Sequence, residues 1–181
     1  MRGFQVLMAG LVASLTVTGC AATMGVSSHV ESGLDFTPYR SFMWGPADAL
    51  PTGDPRLDND PFFKDHVQGA VERQLAARGI ELRATGTPDL LIHYHANIRK
   101  RIAIDRSAHA YDYCSGANCP PETIAYEEGT LVLDFIDART NRLIWRGWAR
   151  NSVEDTLHNR DKMARRIDRA VTQMLKRLPP L

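Results

Sequence analysis

The sequence has no excess of charge of either sign, no apolar run long enough for a bilayer, and almost no cysteine. Its 22 Lys and Arg stand against 21 Asp and Glu in 181 residues, a formal net charge of +1. That balance excludes a disordered chain of one charge and gives no bulk reason to seek nucleic acid. The uncharged run from Phe4 to Val17 falls short of the roughly 20 apolar residues of a spanning helix, which excludes a polytopic membrane protein. Also missing are a Gly-x-Ser-x-Gly nucleophile elbow and a Gly-rich phosphate loop. Glu127 and Glu128 are adjacent, so on a strand they point apart and offer no acid–base pair. No enzymatic activity and no cofactor are expected. What is present, 44% hydrophobic and 24% charged residues, is the composition of an ordinary globular domain, and the length is that of one domain.

The N-terminus combines one early cation, Arg2, with the short apolar run, the pattern of a secretory signal. It ends in Val17-Thr18-Gly19-Cys20. Small residues let the chain lie extended in a peptidase groove, and the cysteine supplies a thiol for a thioether to diacylglycerol. This resembles the lipobox of bacterial lipoproteins, which implies a signal peptide over 1–19 and lipidation at Cys20. The mature chain then has 162 residues and, having lost Arg2 and no acid, 21 cations against 21 anions. Its membrane attachment comes from acyl chains, each buried methylene contributing about 0.8 kcal/mol. In such lipoproteins an Asp after the lipidated Cys commonly retains the protein at the inner membrane. Ala21 stands there instead, so the resemblance implies an outer-membrane lipoprotein facing the periplasm.

With Cys20 lipidated, Cys114 and Cys119 remain as an even pair in an oxidising compartment, and a structural disulfide is the expected reading. A bridge over so short a loop contributes about 2 kcal/mol on the entropy model. The rivals are a metal pair or a redox dithiol. Four intervening residues in a polar loop fit the latter poorly.

Residues 20–33 are small and polar and read as a lipidated tether, with one globular domain over 34–181. Within it, 40–44 reads as a short strand. Residues 45–61, with four prolines and four aspartates, read as loop, and Asp60-Pro61 as a helix start. The helix runs to about Arg78, with Gly79 as its cap. Residues 81–83 suit a short strand. From Asp89 to Arg99, Leu90, Ile92, Tyr94, Ala96 and Ile98 alternate with Leu91, His93, His95, Asn97 and Arg99, a strand with one apolar face. Residues 100–125 read as an irregular excursion, in which Ile102 and Ile104 extend the strand. A hairpin follows, 129–136 and 142–150, turning at Asp137–Asn141. Met163, Ile167, Ala170, Val171, Met174, Leu175 and Leu178 define a final amphipathic helix over about 159–177. The order predicts an α+β fold: a mainly antiparallel sheet of four to six strands with two helices packed on one face.

Phe36, Tyr39-Arg-Ser-Phe-Met-Trp44, Thr87-Pro-Asp-Leu-Leu-Ile92, Tyr126-Glu-Glu-Gly-Thr-Leu-Val-Leu-Asp134 and Leu143-Ile-Trp-Arg-Gly147 resemble the bacterial lipoproteins grouped as domain of unknown function 4136. The similarity covers about residues 30–178. Asn141 departs from the pattern, which commonly has Gly there. The resemblance implies a periplasm-facing lipoprotein and carries over no activity and no catalytic residues.

Two candidate sites remain. His93 and His95 lie two apart on one strand and face the same way, and His109 in the long loop or Asp134 on a neighbouring strand would complete a zinc or copper set. That is the alternative reading, a metal-binding protein or metal-dependent hydrolase; the simpler one leaves both histidines on the polar sheet face. The second candidate is that face as a whole. The alternation sends Leu131, Leu133, Phe135, Leu143 and Trp145 one way and Val132, Ile136, Ile144 and Trp148 the other. With helices on one side only, the face carrying His93, His95, Val132 and Trp148 is an open contact site for another envelope protein or a small apolar ligand. The alternative is that residues 100–125 fold over it.

Overall fold

The computed structural model describes residues 24–46, 54–58, 60–105 and 122–180. Cys20, His109, Cys114 and Cys119 lie outside the described residues, as do the signal segment and the first four residues of the tether, 20–23.

Six strands form one sheet: β1 (Gly25–Val30), β2 (Ser41–Trp44), β3 (Glu81–Leu82), β4 (Leu90–Asp105), β5 (Glu122–Asp137) and β6 (Arg142–Ser152), in the order β1-β6-β5-β4-β2-β3. The helices are α1 (Pro55–Asp58), α2 (Pro61–Ala76) and α3 (Arg160–Leu175). The architecture is the α+β sheet the sequence predicts, with one refinement: β2 runs parallel to both β3 and β4, so the sheet is mixed. The reason is the crossover. The chain leaves β2, passes through α2, and returns in the same direction, as a helical connection requires.

Helix α2 starts where Asp60 accepts a hydrogen bond from the Phe62 amide at 3.1 Å, with Pro61 in the first turn. It ends at Gly79, whose φ of +77° lets the Ile80 amide reach back to the Leu75 carbonyl. Asn159 caps α3 by accepting from the Lys162 amide. Phe63, Val67, Val71 and Leu75 of α2 and Met163, Ile167, Val171 and Met174 of α3 enter one core with Leu90, Ile92, Leu133, Phe135 and Trp145 of the sheet. Those sheet residues share one face. Trp44 Nε1 donates to Glu72 at 2.9 Å and ties β2 to α2.

Three expectations are corrected. Gly25–Val30, read as tether, is an edge strand paired antiparallel with β6 from Gly25↔Arg150 to Val30↔Trp145. The excursion is shorter than read. Strand β4 continues to Asp105 and β5 begins at Glu122, and their pairs from Lys100↔Glu127 outward extend past the end of β6 as a two-stranded ribbon. The third concerns Leu143 and Ile144. Phe135 pairs with Trp145 but Ile136 pairs with Leu143, so Ile144 is an extra residue in β6. The bulge re-aims its neighbours: Ile144 is 2% exposed and Leu143 40% exposed, the reverse of strict alternation.

The β5–β6 turn is built on Asp137. Its carboxylate accepts from the Arg139 and Thr140 amides and, at 2.8 Å, from the Tyr39 hydroxyl. Asn141, at φ 54°, takes the left-handed position the turn requires. Burial, with the Asp137 bond and charge, raises the Tyr39 hydroxyl to about 12.

Candidate functional site

The hairpin registers place side chains on the second sheet face in rows. His95 lies opposite Val132, and Val132 opposite Trp148. The next row outward is Asn97, Thr130 and Arg150, and the next inward is His93, Asp134 and Arg146. All four residues assigned to this face from the sequence are therefore brought together, three of them in one line. Strand β1 adds Ser27 beside Trp148 and His29 beside Arg146.

The face is more charged than the expected apolar patch. At its centre Asp134, 2% exposed, accepts two hydrogen bonds of 2.6 Å from Arg146 Nε and Nη2. This bidentate pair joins β5 to β6 across the hairpin. Burial pushes the Asp134 carboxyl up, but Arg146 and His95 outweigh it and hold the group below its ordinary value. His95 Nε2 stands 3.6 Å from Asp134 Oδ2, beyond hydrogen-bond range, and is a buried nitrogen with no hydrogen bond among the described residues.

His93 sits at the edge toward β2. A Cβ on residue 45 would overlap its Cε1 and Nε2, so Gly45 is what allows the imidazole to lie there. Burial, and then the neighbouring His95, lower the His93 value below its ordinary 6.5, against the opposing pull of Asp134. The sign follows by linkage. Folded His93 binds its proton less readily than in the unfolded chain, so its contribution is full above pH 6.5 and is lost as pH falls through the lower folded value. We expect His93→Gln to remove that part of the acid destabilisation, read as denaturation midpoints at pH 7 and pH 5.5.

Among the described residues no three metal-ligating side chains cluster. Asp134 is opposite His93 as a ligand would need, but both its oxygens are taken by Arg146. His109 lies outside the described residues.

Outward from Trp148 the face sinks into a depression of about 320 Å³, lined by Asn97, Thr130, Val132, Trp148, the acid Glu128 and four arginines, Arg99, Arg101, Arg146 and Arg150. A second, apolar cleft of about 80 Å³ opens at the end of the core between Met24, Phe63, Met163 and Ile167. Only the first approaches the volume of small-molecule sites, roughly 300–1,000 Å³.

The arginines and Asp134 were not read as one site from the sequence. The turn at Asp137–Asn141 by itself sets residue 134 opposite 145, and only the extra residue at Ile144 brings Arg146 opposite Asp134, so the acid–base pair was not legible from the hairpin turn.

The family model described as domain of unknown function (DUF4136) matches residues 26–180, nearly the whole chain. No curated protein matches the sequence. Among solved structures, the chain is similar to a PDZ domain protein from Parabacteroides distasonis, with a TM-score of 0.51 and 16% identity, over 87% of this chain and 37% of that one. The chain thus spans well under half the length of the Parabacteroides protein, and the likeness is one of fold alone. The PelC dodecamer from Paraburkholderia phytofirmans gives a TM-score of 0.48 and 10% identity, over 84% of this chain and 95% of that one. A neuraminyllactose-binding hemagglutinin homologue from Helicobacter pylori gives 0.43 and 13%, over 78% and 83%.

Proposed function

The chain belongs to the family described as domain of unknown function (DUF4136), and from that premise we propose that it is a lipid-anchored cell-envelope protein that acts by binding rather than by catalysis. The binding face is the second side of the sheet. One observation carries this reading: His95, Val132 and Trp148 stand in a row on the face opposite to the one that packs against α2 and α3. An aromatic ring and an aliphatic side chain left outside the helical layer form a contact surface. Two buried carboxylates beside the face are otherwise engaged. Asp134 serves Arg146, and Asp137 holds the hairpin turn and Tyr39.

The anchor is Cys20, on the strength of the Val17–Cys20 segment, and Ala21 favours outer-membrane sorting toward the periplasm. Labelling cells with palmitate tests it. The wild-type chain incorporates label and Cys20→Ala does not; equal labelling, or none in either, contradicts the anchor.

A second reading rests on the ribbon. Ile102 is 76% exposed, and Ile104 and Ile124 stand nearby on the same two strands. Isolated two-stranded ribbons are marginally stable in water, and isoleucines on one favour a protein partner there. A photoreactive residue at position 132 or at position 102 separates the readings. Adducts from 132 alone support the sheet face, and adducts from 102 alone support the ribbon.

A further inference from the structure

We propose that the depression beside Trp148 binds a sugar-sized anion, its carboxylate or phosphate held by Arg99 and Arg150 and its ring resting on Trp148 and Val132. This rests on the reading of the second sheet face as the binding face and names the chemistry that face selects.

The charge inventory singles out those two arginines. Of the four that line the depression, Arg146 is spent on Asp134 and Arg101 donates to Glu128 at 3.0 Å. Arg99 and Arg150 have no hydrogen-bond or carboxylate partner among the described residues. Among the described residues, setting Glu128 and Asp134 against the four arginines leaves two positive charges over, with Arg99 opposite the Glu128 that Arg101 holds. Their strands hold them around a shared space. Arg150 follows Trp148 by two residues on β6 and lies in the row of Thr130 and Asn97, while Arg99 is one row farther out on β4. A guanidinium presents a planar fork that matches the two oxygens of a carboxylate or phosphate, so two free forks facing one cavity select an oxyanion over a neutral ligand.

The rest of the lining fixes the body of the ligand. A volume of about 320 Å³ has room for one ring but not for an extended polymer. Trp148 and Val132 give it apolar lining, and Asn97 and Thr130 give donors and acceptors for hydroxyl groups. Apolar lining together with polar groups suits a hydroxylated ring. A free inorganic anion would leave the indole unused.

The test is calorimetric titration of the full-length chain in uncharged detergent with D-glucuronate, glucose 6-phosphate and D-glucose. We expect one or both anions to bind and glucose not to. Arg99→Gln and Arg150→Gln each weaken binding about tenfold, as loss of a charge-assisted bond does, and leave the unfolding midpoint unchanged. Trp148→Ala weakens it for both anions. A preference between the anions assigns the carboxylate or the phosphate as the natural group. Glucose binding as well as the anions, indifference to both arginine substitutions, or no heat with any probe overturns the proposal. Photo-crosslinking keeps the two levels apart. Adducts from position 132 without anion binding overturn this inference and leave the binding face standing, whereas failure of both overturns both.

Discussion

Arg146→Ala lowers the unfolding free energy by about 3 kcal/mol, and Asp134→Ala by only about 1 kcal/mol. The two residues form one ion pair, yet their removal is unequal because their surroundings are. Asp134 is 2% exposed, so without Arg146 its carboxylate stays buried, and the remaining side-chain partner among the described residues is His95 Nε2 at 3.6 Å. The Arg146 side chain is 45% exposed, so without Asp134 it keeps much of its hydration. Urea denaturation at pH 7 measures both, with an unchanged slope showing that stability and not compactness has moved. The pH dependence carries the same asymmetry. Wild-type Asp134 has a folded value below the ordinary 3.8, so its contribution is present above 3.8 and is lost as pH falls through the folded value. Arg146→Ala no longer depresses that value, and the gap between variant and wild type narrows in acid. Equal losses for the two variants would show that the carboxylate is hydrated rather than buried.

The second large effect lies on the other side of the same strand. Trp145→Ala costs about 4 kcal/mol and Gly147→Ala about 2 kcal/mol. Trp145 is fully buried, its ring 4.9 Å from that of Phe135 between centroids. The indole lies across Gly147, and a Cβ there would come within 2.8 Å of Cζ2 and 3.1 Å of Cζ3. The ring is packed on Phe135 and does not swing aside as a flexible chain end would. Trp145 Nε1 is a buried donor without a hydrogen-bond partner among the described residues, so its removal relieves a small penalty and keeps the loss within the ordinary range for a core aromatic. Leu143→Ala is the control. Because the bulge turns Leu143 outward, it changes stability by no more than about 0.5 kcal/mol. Thermal or chemical denaturation of the three variants checks the order, and a Leu143→Ala loss as large as that of Trp145→Ala would contradict the bulged register.

These effects also account for the short Trp-Arg-Gly segment, residues 145–147, that forms part of the family resemblance. Trp145 fills the core, Arg146 on the opposite face neutralises Asp134, and Gly147 makes room for the indole. Three consecutive residues serve two faces of one sheet, and each needs its own chemistry.

Much of the fold was legible because its signals are local. The stripe from Met163 to Leu178 gives α3, Asp60-Pro61 and Gly79 bracket α2, and the turn residues Asp137 and Asn141 set the hairpin. The misses were signals that depend on partners. Strand β1 carries only Val26 and Val30 as apolar residues, since an edge strand packs little, and its pairing with β6 cannot be read from so polar a segment. The parallel setting of β2 is decided by the path through α2 rather than by the strand's own residues. The bulge at Ile144 follows from how Phe135 and Trp145 meet, and period-two alternation is blind to one extra residue. Of the candidate face, parity along each strand puts His93, His95, Val132 and Trp148 on one side, where the register also sets them. Arg99 was legible only as a residue of the same strand face, and its nearness to Arg150 and Trp148 depends on the pairing of three strands.

Acrylamide quenching of tryptophan fluorescence, compared between the full-length wild type and Trp148→Phe, asks whether the second sheet face is open to solvent. Trp145 is fully buried and Trp44 half-buried against the core, so Trp148 adds its own share to the quenchable emission, and Trp148→Phe lowers the quenching while leaving the unfolding midpoint in place. Identical quenching of the two proteins would mean that Trp148 is shielded, and the face beside it would not be a binding surface.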